Sequence, residues 1–195
     1  MKINRPKLVI LFLIIVIIQL TVPASMIIKR ELILRQGESF KFKTAPIDPY
    51  DPYRGRYVAL DIREDYAPLP ESRLNISRGD EIYAHLKKNQ EGFAYFTKAT
   101  LEVPTGSSYI KAKVTYINRK ENKIYLDLPF ERYYLDENIA PLVEKLYRKL
   151  NREENPNTYI KVRVKSGAAV IEELYLDNQA IIEFIKEHKE NHRED

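Results

Sequence analysis

The pattern of hydrophobic and polar positions changes once along the chain, close to residue 30. Residues 8–18 are all apolar, and a more diluted apolar stretch continues to Ile28. As an α-helix, the span 8–28 is about as long as the hydrocarbon core of a bilayer is thick. From Glu31 onward the pattern has mainly a period of two, which is typical of β-strands with one buried face.

Two interpretations of the N-terminal segment are open. The first is an uncleaved single-pass anchor in the cell membrane, covering residues 1–28 together with its cytoplasmic flank. Three basic residues precede the apolar run and two follow it, which favours a cytoplasmic N-terminus and an extracytoplasmic domain over residues 29–195. The second is a signal peptide cleaved after Ala24. Apolar character resumes at residues 26–28, and this favours the anchor.

Period-two alternation predicts a series of antiparallel strands. Two short strands are expected around a turn at Gln36 and Gly37, with Phe40 and Phe42 on one face. Residues 56–62 read as one strand that buries Val58, Leu60 and Ile62. Three hairpins are expected from residues 80–88 with 92–103, 108–117 with 123–130, and 158–165 with 169–177.

Within these strands the alternation also assigns faces. Ile110, Ala112, Val114 and Tyr116 fall on the buried side of residues 108–117, and Ile124, Leu126 and Leu128 share a face in the following strand. His85 falls on the polar side of its strand.

One amphipathic helix is predicted over residues 137–151, because its apolar residues recur at the i, i+3, i+4 spacing. Asp136 is placed to cap it. The tail from Asn178 onward begins with a helical pattern and ends in a charged stretch. The predicted fold class is α+β: an N-terminal transmembrane helix followed by a mainly antiparallel β-rich domain with one packed amphipathic helix.

Charge and composition exclude several function classes. The chain has a formal net charge of +4, but Lys2, Arg5 and Lys7 account for three of those charges, and 29 basic residues against 28 acidic ones remain. No broad basic surface is therefore left for nucleic acid. Cysteine is absent, which excludes disulfides, thiolate nucleophiles and cysteine-ligated metals. No phosphate-binding loop, nucleophile elbow or dinucleotide fingerprint occurs, and we expect no cofactor, metal site or catalytic residues.

The segment APIDPYDPYRGRYVALDI, residues 45–62, is the strongest candidate for a binding loop. Its carboxylates, with Glu64 or Asp65, could supply oxygen ligands to a cation, and its arginines could hold an anion. A structural interpretation is favoured, because Pro49 and Pro52 stiffen the chain and glycine permits a sharp turn. The candidate binding residues are Asp48, Asp51, Arg54, Gly55, Arg56 and Tyr57.

Other potential sites are weaker. His188 and His192 have a helical chelating spacing but no evident third ligand, so a solvated face is favoured. Glu131 with Asp136 or Glu137 could form an acid–base pair, yet nothing in the sequence separates their pKa values. Phe130, Tyr133 and Tyr134 are instead expected to pack where the strand meets the helix.

The candidate loop at residues 45–62 resembles part of a bacterial family, the GDYXXLXY proteins, which is named for its motif Gly-Asp-Tyr-x-x-Leu-x-Tyr. The resemblance extends to GDEIYAHL, to residues 128–137 and to residues 162–177, and rests at the candidate loop on Pro46, Asp48, Pro49, Asp51, Pro52, Arg54, Gly55, Tyr57 and Leu60. Arg56 and Ile62 depart from the motif's Asp and second Tyr. The resemblance implies a membrane-anchored protein with no particular activity, and a multi-spanning membrane protein as its partner.

The expected function is therefore that of a non-enzymatic accessory or scaffold subunit that binds such a partner. The alternative is an extracytoplasmic binding module for a carbohydrate, peptide or cell-envelope ligand, because the chain contains 14 tyrosines that could offer flat contact surfaces. An enzyme with its site around Asp48, Asp51 and Arg54 is the least favoured hypothesis, and the ligand itself is not specified by the sequence.

Overall fold

A computed structural model describes residues 5–45, 57–70, 76–135, 139, 143, 147 and 157–185. Helix α1, Arg5–Gln36, is continuous and includes Pro23. The predicted apolar helix is therefore present, and nearly all of its apolar side chains are exposed. Its length and composition suffice to cross a membrane, although a signal sequence would have the same character.

The prediction of a short strand before Gly37 is wrong, because residues 31–36 belong to α1. The Gly37 N–H donates to the Ile33 carbonyl at 2.8 Å and closes the last helical turn. Extending an existing helix by one turn costs less than starting a new element. Ile33 and Leu34 are half-buried, and the end of α1 contacts the domain.

The remaining described residues form mainly β-strands. Their bounds are β1 Glu38–Ala45, β2 Tyr57–Ala59, β3 Asp61–Ile62, β4 Tyr66–Pro68, β5 Glu81–Lys88, β6 Ala94–Thr100, β7 Tyr109–Asn118, β8 Lys123–Asp127, β9 Arg132–Tyr134, β10 Thr158–Lys165, β11 Ala168–Leu176 and β12 Gln179–Ala180. The three predicted hairpins are all confirmed as antiparallel pairs, β5 with β6, β7 with β8 and β10 with β11.

The strands form two five-stranded sheets and one ribbon. The helix-linked sheet has the order β12-β11-β10-β1-β3, and β1 continues directly from α1. The barrel sheet has the order β4-β8-β7-β5-β6, and its two edge strands, β4 and β6, pack against each other so that it nearly closes. The ribbon consists of β2 and β9. This arrangement confirms the predicted fold class.

The core lies where the two sheets meet. Phe40 and Phe42 are buried on one face of β1, as predicted. The Phe42 ring lies 6.1 Å from that of Phe96 in the barrel sheet and 5.0 Å from that of Phe130 before the ribbon. The other predicted core positions that are buried are Leu60, Ile62, Ile110, Ala112, Val114, Ile124, Leu126 and Leu128.

Two predicted strands depart from simple alternation. Residues 57–62 are divided between β2 and β3, because at Leu60 the chain crosses from the ribbon to the helix-linked sheet. In β7 the pairing with β8 shifts register between Val114 and Tyr116, and Tyr116 is 59% exposed where the pattern predicted burial. A β-bulge adds one residue to a strand and so reverses the faces beyond it.

The prediction for His85 is also wrong, because this residue is only 7% exposed. The pairing of β5 with β6 shifts register between His85 and Leu86, so Ala84, His85 and Leu86 are buried in succession. Its Nδ1 lies 2.9 Å from the Ser107 hydroxyl oxygen and its Nε2 lies 3.3 Å from that of Thr100. Burial, followed by the charge of Lys98, lowers the pKa of the imidazole.

The predicted amphipathic helix falls mostly outside the described residues. Ile139, Val143 and Tyr147 are described; Val143 and Tyr147 are buried, and the Val143 N–H donates to the Ile139 carbonyl at 3.0 Å. The tail was predicted to begin as a helix at Asn178, but residues 179–180 form β12, and the described helix covers residues 181–185. In this helix Ile181, Phe184 and Ile185 are buried.

Candidate functional site

The candidate loop is flanked by two described strands. Asp48, Asp51, Arg54, Gly55 and Arg56 lie outside the described residues, so their role stays a prediction. Tyr57, the last candidate residue, begins β2, and its backbone is opposite Tyr134 of β9. The loop therefore returns to the domain beside the β2–β9 ribbon.

The ribbon brings the loop's C-terminal end next to a second segment that the resemblance also covers. Val58 is opposite Tyr133 and Ala59 opposite Arg132. The Leu60 N–H then donates to the Glu131 carbonyl at 2.8 Å, and Leu60 itself is buried. Leu60 is one of the motif positions. Its burial and its backbone hydrogen bond fix the chain at the point where it passes from the ribbon to the helix-linked sheet.

A cleft of about 300 Å³ lies between the end of α1, the ribbon and β11. We call it the helix-side cleft, and the residues that line it are Arg30, Leu128, Pro129, Phe130, Glu131, Arg132, Tyr134, Ala169, Val170 and Ile171. Its apolar side chains come from residues 128–130 and β11, and its charged ones are Arg30 of α1, Glu131 just before β9 and Arg132 of β9. The surface of the cleft is more polar than apolar, in contrast to the predominantly apolar lining of most small-molecule sites.

The electrostatics of the cleft are dominated by two arginines and one glutamate. Partial loss of solvent, followed by the negative charge of Asp127, raises the pKa of the Glu131 carboxyl, while Arg132 acts in the opposite direction. Desolvation also raises the pKa of the Asp65 carboxyl, which lies near enough to Glu131 to add to its shift. Desolvation and the neighbouring carboxylates therefore disfavour negative charge at Glu131, and Arg132 offsets this only in part.

Next to the cleft, the ribbon is held to β11 by a hydrogen bond between side chains. The Tyr133 hydroxyl donates to Glu173 Oε1 at 2.7 Å, and burial together with this bond raises the pKa of the phenol. On the same sheet, Arg163 Nε contacts Glu172 at 2.5 Å, and its guanidinium also donates to the Gly37 carbonyl at 3.3 Å. These contacts position α1, β10, β11 and the ribbon relative to one another.

A second cavity, of about 480 Å³, lies on the outer side of β5 and β7. The rings of Tyr83 and Tyr109 line it in an edge-to-face arrangement, 5.6 Å apart, together with Val103 and Lys111. It shares Pro129 and Ala169 with the helix-side cleft.

The structure does not assemble the other sites that were considered. Of the proposed acid–base set, Glu131 lines the helix-side cleft, whereas Asp136, Glu137 and the pair His188 and His192 lie outside the described part of the chain. Within that part, no three or more His, Asp and Glu side chains are grouped so that they could hold a metal ion. Phe130 is buried and Tyr133 is half-buried, as expected for packing residues, but Tyr134 is 62% exposed.

The sequence did not indicate Arg30 as a site residue. It was interpreted as a flank of the apolar segment, yet it lines the same cleft as Arg132, about a hundred residues further along. Only the docking of α1 on β10 and β11 brings the two together.

The fold and the site define a class of protein: a β-rich domain attached directly to an N-terminal helix that is long and apolar enough to cross a membrane. A family model described as GDYXXLXY protein matches residues 19–174, so the chain belongs to the GDYXXLXY family. No curated protein and no solved structure gave a significant match.

Proposed function

We propose that this protein is a membrane-anchored, non-enzymatic accessory subunit whose extracytoplasmic β domain binds a multi-spanning membrane protein. The observation that carries the proposal is the junction between α1 and the domain. The helix continues past its apolar part to Gln36, and Gly37 alone separates it from β1. A domain attached in this way has a defined orientation and a defined distance from the membrane surface. This suits a subunit that binds a partner in the same membrane.

The exposed surface of α1 supports the same proposal. Its apolar residues from Leu8 to Ile28 are almost all open to the surroundings, and such a surface is stable only in lipid or against another apolar surface. The surplus of basic residues before the apolar run supports a cytoplasmic N-terminus.

Two measurements test this proposal. The full chain, tagged at its C-terminus, is extracted from native membranes in a mild detergent, and its intact mass shows whether Met1 or Ser25 is the first residue of the mature protein. We expect the uncleaved chain, in a complex well above its own 23.0 kDa and with a multi-spanning protein in fixed stoichiometry. A chain that begins at Ser25, or one that migrates alone, contradicts the proposal.

A matched pair of insertions tests whether orientation matters. A flexible Gly-Ser linker placed between Gln36 and Gly37 keeps both anchor and domain but uncouples them, and we expect the complex to be lost. The same linker inserted in the exposed turn between β5 and β6, at Gln90, leaves the junction intact, and the complex should persist. Equal recovery of the complex from both variants contradicts a role for the junction.

The second cavity supports a different candidate function, binding of a carbohydrate or peptide of the cell envelope. Tyr83 and Tyr109 offer ring faces and hydroxyls in a concave setting, which is the arrangement that suits a sugar ring. Titration of the full chain with soluble cell-wall fragments tests it, with NMR signals of labelled tyrosines as the readout. Tyr83→Ala should abolish the response, and Tyr116→Ala, on exposed surface outside the cavity, should not.

A further inference from the structure

We infer that α1 binds a transmembrane helix of the multi-spanning partner inside the bilayer, through the face that carries Gln19 and Pro23. The inference rests on the proposed function, because it requires α1 to stay in the membrane. It deepens that function by assigning a contact to one helix face and by stating the chemistry of the partner, which is a hydrogen-bonding side chain near the middle of its own span.

Gln19 is a polar side chain in the middle of the apolar segment. Counted along an α-helix, it lies about 14 Å from Ile28 and about 16 Å from Leu8, the two ends of that segment. The hydrocarbon core of a bilayer is about 30 Å thick, so the amide is near its centre. Because hydrocarbon offers no hydrogen bonds, a polar group that lacks a partner there is unfavourable.

The polar side chains of the apolar segment are Gln19, Thr21 and Ser25. The Thr21 hydroxyl donates to the Ile17 carbonyl and the Ser25 hydroxyl to the Val22 carbonyl, each at 2.7 Å, so both donors are satisfied within α1. Gln19 is exposed, and within the described part of the chain its amide makes no hydrogen bond. Its amide is therefore left for a partner outside α1.

The backbone supplies a second unsatisfied group at the same place. In an α-helix each carbonyl accepts a hydrogen bond from the N–H four residues further along. For the Gln19 carbonyl that residue is Pro23, which lies inside α1 and has no N–H. A neighbouring helix can supply the missing donor. Pro23 is only about 40° from Gln19 around the helix axis, so one helix can contact both.

The Gln19 face lies on the side of α1 above which the β domain extends. With about 100° of rotation per residue, Gln19 is about 40° from Ile33 and about 60° from Leu34 around the axis. Ile33 and Leu34 are half-buried, and this end of α1 contacts β10 and β11. Arg35, about 160° away from Gln19, is 75% exposed. The domain therefore projects over the membrane next to the Gln19 face.

This position distinguishes two occupants of the face. A second copy of the chain would bring its own helix end and β domain into the space that the first domain already fills. A helix of a multi-spanning protein that ends at the membrane surface fits below the domain. A side chain such as Asn, Ser or His on that helix can donate to the Gln19 carbonyl and accept from its amide.

Photo-crosslinking of the full chain in native membranes tests the inference. Benzoylphenylalanine is placed either at Ile15, about 40° from Gln19 around the axis, or at Ile17, about 160° from it. Both isoleucines are exposed. From Ile15 we expect a crosslink that mass spectrometry maps to the middle of a transmembrane segment of a multi-spanning protein. From Ile17 we expect little of this product.

Gln19→Leu removes the amide and makes the span more apolar, so membrane insertion is not impaired. The yield of the Ile15 crosslink should fall about three- to tenfold, as expected for one hydrogen bond between helices in a membrane. The matched control is Gln19→Ile/Ile17→Gln, which keeps the composition but moves the amide to the opposite side of α1. Its yield should stay low, whereas Gln19→Asn, which keeps an amide, should give an intermediate yield.

Two kinds of result would overturn the inference. The first is equal crosslinking from Ile15 and Ile17, or an unchanged yield in Gln19→Leu. The second is a product of about twice 23.0 kDa that contains two copies of this chain, because it identifies the second copy as the occupant. Failure of the proposed function is distinguishable, since the chain then begins at Ser25 or migrates alone. A complex that persists without a crosslink from Ile15 refutes the inference and leaves the proposed function standing.

Discussion

The helix-linked sheet and the barrel sheet bury similar apolar faces but differ in how they are connected to the rest of the molecule. The helix-linked sheet receives β1 directly from α1 and pairs its outer charges, as Arg163 and Lys161 do with Glu172. The barrel sheet is not continuous with α1, although it also has a surface ion pair, Lys111 with Glu81. Its outer face carries a row of tyrosine rings from β4, β8 and β7, namely Tyr66, Tyr125 and Tyr116. One sheet is thus joined directly to the N-terminal helix, and the other has an outer face rich in tyrosine.

The largest expected effect comes from removing the contact that joins the two sheets. Phe42 is 0% exposed and its ring contacts both Phe96 and Phe130. Phe42→Ala should lower the free energy of unfolding by about 3–5 kcal/mol, because a large cavity forms in the core. Denaturant unfolding of the full chain in detergent measures this. Tyr116→Ala, on the exposed face of the barrel sheet, should cost less than about 1 kcal/mol, and a similar loss for both would contradict the comparison.

The next effect concerns the connection between α1 and the helix-linked sheet. A Cβ atom at Gly37 would lie 2.5 Å from the Ile33 carbonyl oxygen and 3.1 Å from the Val164 nitrogen, both backbone atoms that cannot easily move. Gly37→Ala should therefore destabilise the protein by about 1–3 kcal/mol. Arg35→Ala, two residues earlier and exposed, should cost about 0.5 kcal/mol or less, as expected for a surface ion pair. An unchanged unfolding midpoint for Gly37→Ala would show that the junction is loose.

A smaller effect is expected in the barrel sheet at acidic pH. Because burial lowers the pKa of His85 in the folded protein, the unfolded chain binds the proton more readily. Stability should thus be fully present above the ordinary histidine pKa of about 6.5 and should fall as the pH drops below it. In His85→Asn the unfolding midpoint should depend less on pH over this interval. An identical slope in both proteins would rule out His85 as the cause.

The smallest effects on stability are expected at the carboxylates of Glu172 and Glu64, and they should have opposite signs. Hydrogen bonds from Arg163, and then from Lys161, lower the pKa of Glu172, so its contribution is present above the ordinary glutamate pKa of about 4.3 and is lost as the pH falls below it. Burial raises the pKa of Glu64, whose Oε2 is buried without a hydrogen-bond partner. Its cost is therefore greatest at neutral pH and disappears as the pH falls through the raised pKa.

Thermal unfolding at several pH values checks this difference. At pH 7, Glu172→Gln should lower the midpoint slightly, whereas Glu64→Gln should leave it unchanged or raise it, because a neutral amide costs less to bury than a charge. Changes of the same sign in both variants would contradict the assignment of the two environments.

Much of the fold was predictable because it depends on residues that are neighbours in sequence. The alternation in β1, β7 and β8 correctly identified buried positions such as Phe42, Ile110 and Leu126. Alternation failed at His85 and Tyr116, where a register shift in the pairing with another strand changes the face. A bulge depends on the partner strand, and a single segment gives no sign of it.

The candidate site was less predictable than the fold. The loop was predicted as a candidate site because of its proline, aspartate and arginine residues. Of its candidate binding residues the structure describes Tyr57, which lies opposite Tyr134. The helix-side cleft was not expected, since Arg30, Glu131 and Val170 belong to three distant segments. Such a cleft is created by packing, and no local pattern encodes it.

By itself, the sequence determined that a long apolar helix precedes an antiparallel β domain and that the basic excess lies at the N-terminus, because hydrophobic periodicity and charge are local properties. Tertiary structure decided that α1 extends to Gln36 and docks on β10 and β11, that His85 is buried, and that Arg30 and Arg132 line one cleft. These features depend on which distant surfaces exclude water from one another, and that is settled only when the sheets and the helix pack together.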